Sequence, residues 1–177
     1  MRIVSGKLKG KWIEVPPSFK ARPTTDFAKE ALFDILSNEY EFEDLKILDL
    51  FGGTGSISYE FASRGVGHIW TVEMNPQYAN FIKEQAKHLG ITNISVVRHN
   101  VFEFLPLCTE KFDMIFADPP YALEDLETIP DKVLSMDILY PGNYFILEHG
   151  SEHSFKDHPK FVKEKVYGRV HFSFFEK

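Results

Sequence analysis

Apolar residues recur along this chain with two different spacings, and the points where one gives way to the other outline its elements. Ala28, Ala31, Leu32, Ile35 and Leu36 fall at i, i+3, i+4, i+7 and i+8, one face of a helix that ends near Asn38. Thr24, Thr25 and Asp26 supply capping side chains before it. From Leu45 onward, short apolar runs alternate with helical spacing in the βαβ manner. Strands are predicted over 46–51, 68–73, 94–98, 114–117 and 144–148, and helices over 56–64, 76–89 and 126–138. In 76–89, Ala79, Ile82, Ala86 and Leu89 keep the helical period, Pro76 suits the first turn and Gly90 is a stop. Residues 163–167 and 170–175, with Gly168 between them, read as a closing hairpin.

Ahead of the first helix the pattern changes. Residues 2–4 and 11–15 read as two short strands punctuated by Gly6 and Gly10, closed by Pro16-Pro17 and followed by a polar, extended linker over 18–23. The expectation is an N-terminal β-hairpin extension over 1–22 and a main domain over 23–177. Charge sharpens the division. The chain carries −6, yet residues 1–22 hold Arg2, Lys7, Lys9, Lys11, Lys20 and Arg22 against Glu14 alone, which leaves the other 155 residues at −11. A basic arm on an acidic body suits a surface with one face for phosphate; a solvated terminal hairpin is the plainer alternative.

Composition narrows the setting. At 177 residues with 44% apolar and 26% charged content, the chain suits one soluble domain with a substantial core. No apolar run approaches the roughly 20 residues that span a bilayer, and the first residues lack a signal segment. Cys108 stands alone, so no internal disulfide forms and a cytoplasmic location is expected. His and Cys show no ligand spacing, so no metal is expected. The seven histidines read as structural or exposed, with His149, near the end of the fifth strand, the one to follow.

The chemistry gathers at strand ends. The run 114–117 stops at Asp118, and Pro119-Pro120 forbid either a continuing sheet or an immediate helix before Tyr121. Asp49-Leu50-Phe51-Gly52-Gly53-Thr54-Gly55-Ser56 follows the first buried strand and opens a helix. Ser58 replaces the third glycine of a dinucleotide loop, and Asp49 would repel a pyrophosphate but welcome an amino group. Glu73, ending the next strand, is placed to accept ribose hydroxyls, and Asn100 with Val101 and Phe102 offers an edge and a wall for adenine. An adenosine ligand with a positive centre and no phosphates fits: S-adenosylmethionine, rather than NAD or ATP.

These segments resemble a known family. Arg2-Ile3-Val4-Ser5-Gly6, Arg22-Pro23-Thr24-Thr25-Asp26, the 49–55 loop, Asp118-Pro119-Pro120-Tyr121 and the closing Lys163-Glu164-Lys165-Val166-Tyr167-Gly168 are similar to the RsmD family of class I methyltransferases. That resemblance implies an α/β, Rossmann-like, mostly parallel seven-stranded sheet flanked by helices. It implies transfer of a methyl group from S-adenosylmethionine to the exocyclic N2 of a guanine in small-subunit (16S) ribosomal RNA. The loop, Asp49 with Phe51, Gly52, Gly53, Thr54 and Gly55, then takes the methionine end, Glu73 the ribose, and Asn100, Val101 and Phe102 the adenine. The turn is the catalytic element: Asp118 and the Pro119 carbonyl accept the amino hydrogens, Pro120 stiffens the turn and Tyr121 stacks on the base. Arg2, Lys7, Lys9, Lys11, Arg22, Thr24 and Thr25 face the RNA. The implied partner is small-subunit rRNA or its assembly particle, bound by a monomer away from membranes. Two other readings compete: an amino-directed methyltransferase on DNA adenine N6 or protein glutamine, and a nucleotide-binding module without catalysis.

Overall fold

The computed structural model describes residues 1–20 and 24–177. Seven strands form one sheet in the order β3-β2-β1-β4-β5-β7-β6: β1 Lys46–Leu50, β2 His68–Val72, β3 Ile94–Val97, β4 Met114–Ala117, β5 Tyr144–His149, β6 Phe161–Tyr167 and β7 Val170–Glu176. Strands β1 to β5 pair in parallel, and β7 inserts antiparallel between β5 and β6. The order reverses between β1 and β4, so a crevice opens beyond their carboxyl ends, where open α/β sheets bind ligands.

Alternation along the strands assigns the two faces. Ile47, Met114, Phe116 and Ile146 pack under helices α1 (Asp26–Glu39) and α2 (Ser56–Ser63), against Leu32, Phe33, Leu36 and Phe61. Leu48, Ile115, Ala117 and Leu147 pack on the other face with Val101 and Phe104 of α4 (Val101–Phe104) and Ile129 and Val133 of α5 (Ile129–Leu134). Ile82 and Ala86 of α3 (Pro76–His88) join Tyr59, Ile3 and Ile13 in a third cluster. Among the described residues, no helix is long and apolar enough to cross a membrane.

Two expectations need correction, and one helix goes beyond them. The stretch 126–138 is not one helix: a 3₁₀ turn, Leu126–Thr128, precedes α5. Pro130 lacks the N–H that would bond back to Leu126, so a continuous α-helix cannot pass through it. Helix α4 was not foreseen; Asn100 caps it by accepting from the Phe102 N–H at 2.8 Å. The arm is not a hairpin of two regular strands. It has one antiparallel bridge, Arg2 to Trp12, flanked by Ile3 N–H to Lys11 O and Ile13 N–H to Met1 O.

What the arm lacks in strand pairing it gains from α2. The buried Glu60 carboxylate accepts the Val4 and Ser5 N–H groups at 2.9 and 3.0 Å, and Ser63 accepts from Lys7 and Leu8. Lys29, also buried, donates to Arg2 O at 2.7 Å and lies 3.8 Å from Glu60. Gly6 permits this approach: a Cβ there would sit 2.0 Å from Ser63 O, and its φ is +80°.

Candidate functional site

Three carboxylates converge where the sheet order reverses. Asp49 lies two residues after Ile47, Asp118 two after Phe116 and Glu148 two after Ile146, so all three face the α1–α2 side near the carboxyl ends of β1, β4 and β5. Glu73 joins them just past β2. Among the described residues, no lysine or arginine pairs with any of these four. Each carboxyl is lifted first by burial: Asp49 up to about 7, Glu148 up to about 7, and Asp118 well above the usual range, with the charges of Glu148 and Asp49 adding to it. Glu73 shifts the same way, offset by backbone N–H donors.

Four buried acids with no paired lysine or arginine among the described residues suit a cationic ligand. In the ligand-free protein the cost appears as pH dependence. Asp49 and Glu148 bind protons more tightly folded than unfolded, so their contribution to stability falls as pH rises from about 4 through about 7. Equilibrium denaturation is expected to give a ligand-free protein more stable at pH 6 than at pH 8, by on the order of 2 kcal/mol. Asp49→Asn should flatten that slope, and cationic ligand binding should strengthen in the opposite direction, with rising pH.

The loop is held ready. Glu73 accepts the Gly53 N–H at 2.8 Å and the Asn75 N–H at 2.7 Å, which fixes the carboxylate across the mouth of the loop. Ser58 donates to Asp49 and shares a hydrogen bond with Thr71. Phe51 has φ +62°, a strained value of the kind kept at ligand sites. Gly52 packs too closely for any side chain, since a Cβ there would lie 2.4 Å from Thr71 Cγ2. Beneath Gly55, the helix N-cap of α2, the buried Tyr59 hydroxyl has no partner among the described residues. Thr54 donates to the Met1 sulfur at 3.4 Å, so the arm reaches the loop.

The remaining expected residues fall around this centre. Phe102 and Phe51 stand edge-to-face at 6.2 Å, Val101 is buried beneath them, and Lys132 sits 4.2 Å over the Phe102 ring. On the turn, Pro119 is buried, Pro120 exposed, and Tyr121 is 43% exposed with its hydroxyl 3.4 Å from Glu148 Oε1. Thr24 is buried and donates to Glu148 Oε2 at 2.9 Å, while Thr25 caps α1 through the Ala28 N–H. Both hydroxyls are therefore engaged within the protein. Lys7, Lys9 and Lys11 are exposed on the arm; Arg2 pairs with Asp26 at 3.1 Å. Arg22 lies outside the described residues.

Glu148 was missed by sequence reasoning. A glutamate closing an apolar strand resembles any solvent-facing strand end, and its partner Thr24 is 124 residues away. His149 points to the opposite face, its Nδ1 donating to Gly150 O and its Nε2 sharing a hydrogen bond with Ser173 Oγ, both at 2.8 Å. With Glu164 and His171 it forms a group whose ligand atoms lie within 4.8 Å, each already hydrogen-bonded.

A parallel sheet with this order, an antiparallel β7, a glycine loop after β1 and an acidic Pro-Pro turn after β4 together define a class I methyltransferase. The Thermus thermophilus protein described as hypothetical protein TTHA0928 has the same fold, with a TM-score of 0.88, 30% identity, and coverage of 100% of this chain and 99% of that one. The chain belongs to the family described as Conserved hypothetical protein 95, the RsmD family, whose pattern matches residues 1–176. It is 27% identical over 180 residues to ribosomal RNA small subunit methyltransferase D of Escherichia coli K12, covering all of this chain and 90% of that protein. To the protein of the same name from Buchnera aphidicola subsp. Baizongia pistaciae it is 34% identical over 121 residues, 68% of this chain and 61% of that relative.

Proposed function

We propose that this protein transfers the methyl group of S-adenosylmethionine to the N2 amino group of a guanine in small-subunit rRNA. The observation that carries the reading is the acid-lined cleft, whose carboxylates pair with no lysine or arginine among the described residues, with Asp118 and its rigid turn at one side and the Gly52–Gly55 loop at the other. The four carboxylates, and the buried Tyr59 hydroxyl that has no partner among the described residues, suit a ligand with an ammonium, a sulfonium and no phosphate. Asp49 and the loop would hold the methionine end, Glu73 the ribose, and Phe51, Val101 and Phe102 the adenine; Asn100 shapes that edge by capping α4.

When bound, S-adenosylmethionine would supply a sulfonium-bound methyl to N2 and be left as a thioether, and the proton that N2 gives up would pass to solvent. The protein's task is geometry. An aryl amine's lone pair is delocalised into the ring and attacks poorly until the nitrogen is rehybridised. Asp118 and the Pro119 carbonyl accept its two hydrogens, which turns the lone pair toward the methyl, and Tyr121 stacks on the base. Fixed positioning of this kind lowers barriers by roughly 7 kcal/mol or more in favourable systems.

The test is incubation of the protein and cofactor with small-subunit rRNA and with its assembly particles, followed by nucleoside mass spectrometry. N2-methylguanosine supports the reading; methylation confined to DNA adenine or to peptide glutamine overturns it. The arm extends the prediction. Arg2, Lys7, Lys9 and Lys11 would contact phosphate, while Trp12 (71% exposed) and Phe27 (68% exposed) offer rings nearby. Replacing the three lysines by glutamine is expected to weaken RNA binding uniformly and reduce the salt slope by about 3, read by titration across salt concentrations.

A further inference from the structure

Glu148 sits beside the reacting turn and has acceptor capacity to spare. Ala117, the last residue of β4, pairs with Leu147, so Asp118 just beyond that strand end falls beside Glu148 of β5, whose charge acts on it. An ionised carboxylate offers about four lone-pair positions. Oε2 takes the Thr24 hydroxyl at 2.9 Å, and among the described residues Oε1 takes only the long 3.4 Å contact from Tyr121. Its charge raises the Asp118 carboxyl, which places the two groups in one electrostatic site.

We propose that Glu148 is the residue that selects guanine, accepting the base's N1–H while Asp118 accepts from the adjacent N2 amino group. This rests on the methyl-transfer reading above and adds what chooses the base. On its Watson–Crick edge guanine presents N1–H and N2–H as neighbouring donors, a match for two neighbouring carboxylates. Adenine presents an amino group beside a bare N1, and cytosine an amino group beside a bare N3. Either would set a ring lone pair against the Glu148 carboxylate, desolvated and unpaired, which is the kind of mismatch that rejects an analogue strongly. Tyr121, stacked on the base and directed at Glu148 through its hydroxyl, would fix the plane in which that edge approaches.

The deciding probe is 2-aminopurine, which keeps the 2-amino group but has a lone pair at N1. Once the methylated guanine is located from the product, rRNA carrying 2-aminopurine there is assembled by ligation. The intact protein is expected to favour guanine by at least about 10²-fold in kcat/KM. In Glu148→Gln, the amide can turn its NH2 toward N1, so guanine should slow, 2-aminopurine should quicken, and the ratio should fall at least about tenfold. Thr24→Val, which removes the Oε2 partner alone, should affect both bases alike. Equal slowing of both bases in Glu148→Gln would overturn the proposal and leave Glu148 a support for Thr24 and Tyr121. If Glu148→Gln fails to fold, the unmodified protein still decides, because equal rates on the two bases overturn it. Absence of N2-methylguanosine from unmodified rRNA is a separate result, and removes the methyl-transfer reading itself.

Discussion

Asp118→Ala is expected to lose methyl transfer by about 10³-fold while binding S-adenosylmethionine nearly as well as the unaltered protein. On the proposed roles, Asp118 serves the base, and its removal leaves the amino group free to rotate its lone pair back into the ring. Glu73 should behave in the opposite sense. Its oxygens, fixed by the Gly53 and Asn75 N–H groups, would take the ribose hydroxyls. Glu73→Ala should therefore weaken cofactor binding by roughly 1.5–3 kcal/mol, with turnover at saturating cofactor much less affected. Calorimetric titration of both variants, with single-turnover rates alongside, separates the two roles. Equal losses of cofactor affinity in both would contradict the assignment.

Glu60→Ala should have the largest effect on stability. Its carboxylate, fully buried, accepts two arm N–H groups and the Arg64 side chain, and it lies 3.8 Å from the equally buried Lys29. Burial pulls the Lys29 ammonium down, and Glu60 is the main charge opposing that. Removing Glu60 strands a buried cation together with unpaired amides, a loss of about 3–5 kcal/mol. For a domain of this size that lowers the melting temperature by roughly 6–20 °C in calorimetry. A change below about 1 kcal/mol would mean that the arm is not held by this carboxylate.

Most of the sheet was legible because its strands are short apolar runs cut off by residues that cannot continue them. Met114 to Ala117 ends at Asp118 and two prolines, and the observed β4 has those same bounds. The loop after β1 was legible through its glycines. Helix α4 was not, since four residues are too few to show a period of 3.6. Glu60 and Glu148 were hidden for a related reason. In sequence each is a carboxylate in an ordinary place, a helix face and a strand end. Their burial comes from partners 55 and 124 residues away, which no local pattern encodes. The arm's two expected strands reduced to one bridge because its backbone groups are satisfied by α2 side chains instead.

The insertion of β7 between β5 and β6 also sets an order of assembly. A ribosome delivers β5 before β7, so until residues 170–176 emerge the long side of β5, Tyr144 to His149, has no neighbour on that edge. At about 5–20 residues per second that interval lasts a few seconds, during which β5, with its apolar Phe145 and Leu147, stays open on that edge. The segment carrying Glu148 is thus the last part of the cleft to become rigid. A nascent chain that already holds the loop after β1 and the turn after β4 still lacks the strand that steadies the third wall, so competence to act on RNA arrives late in synthesis.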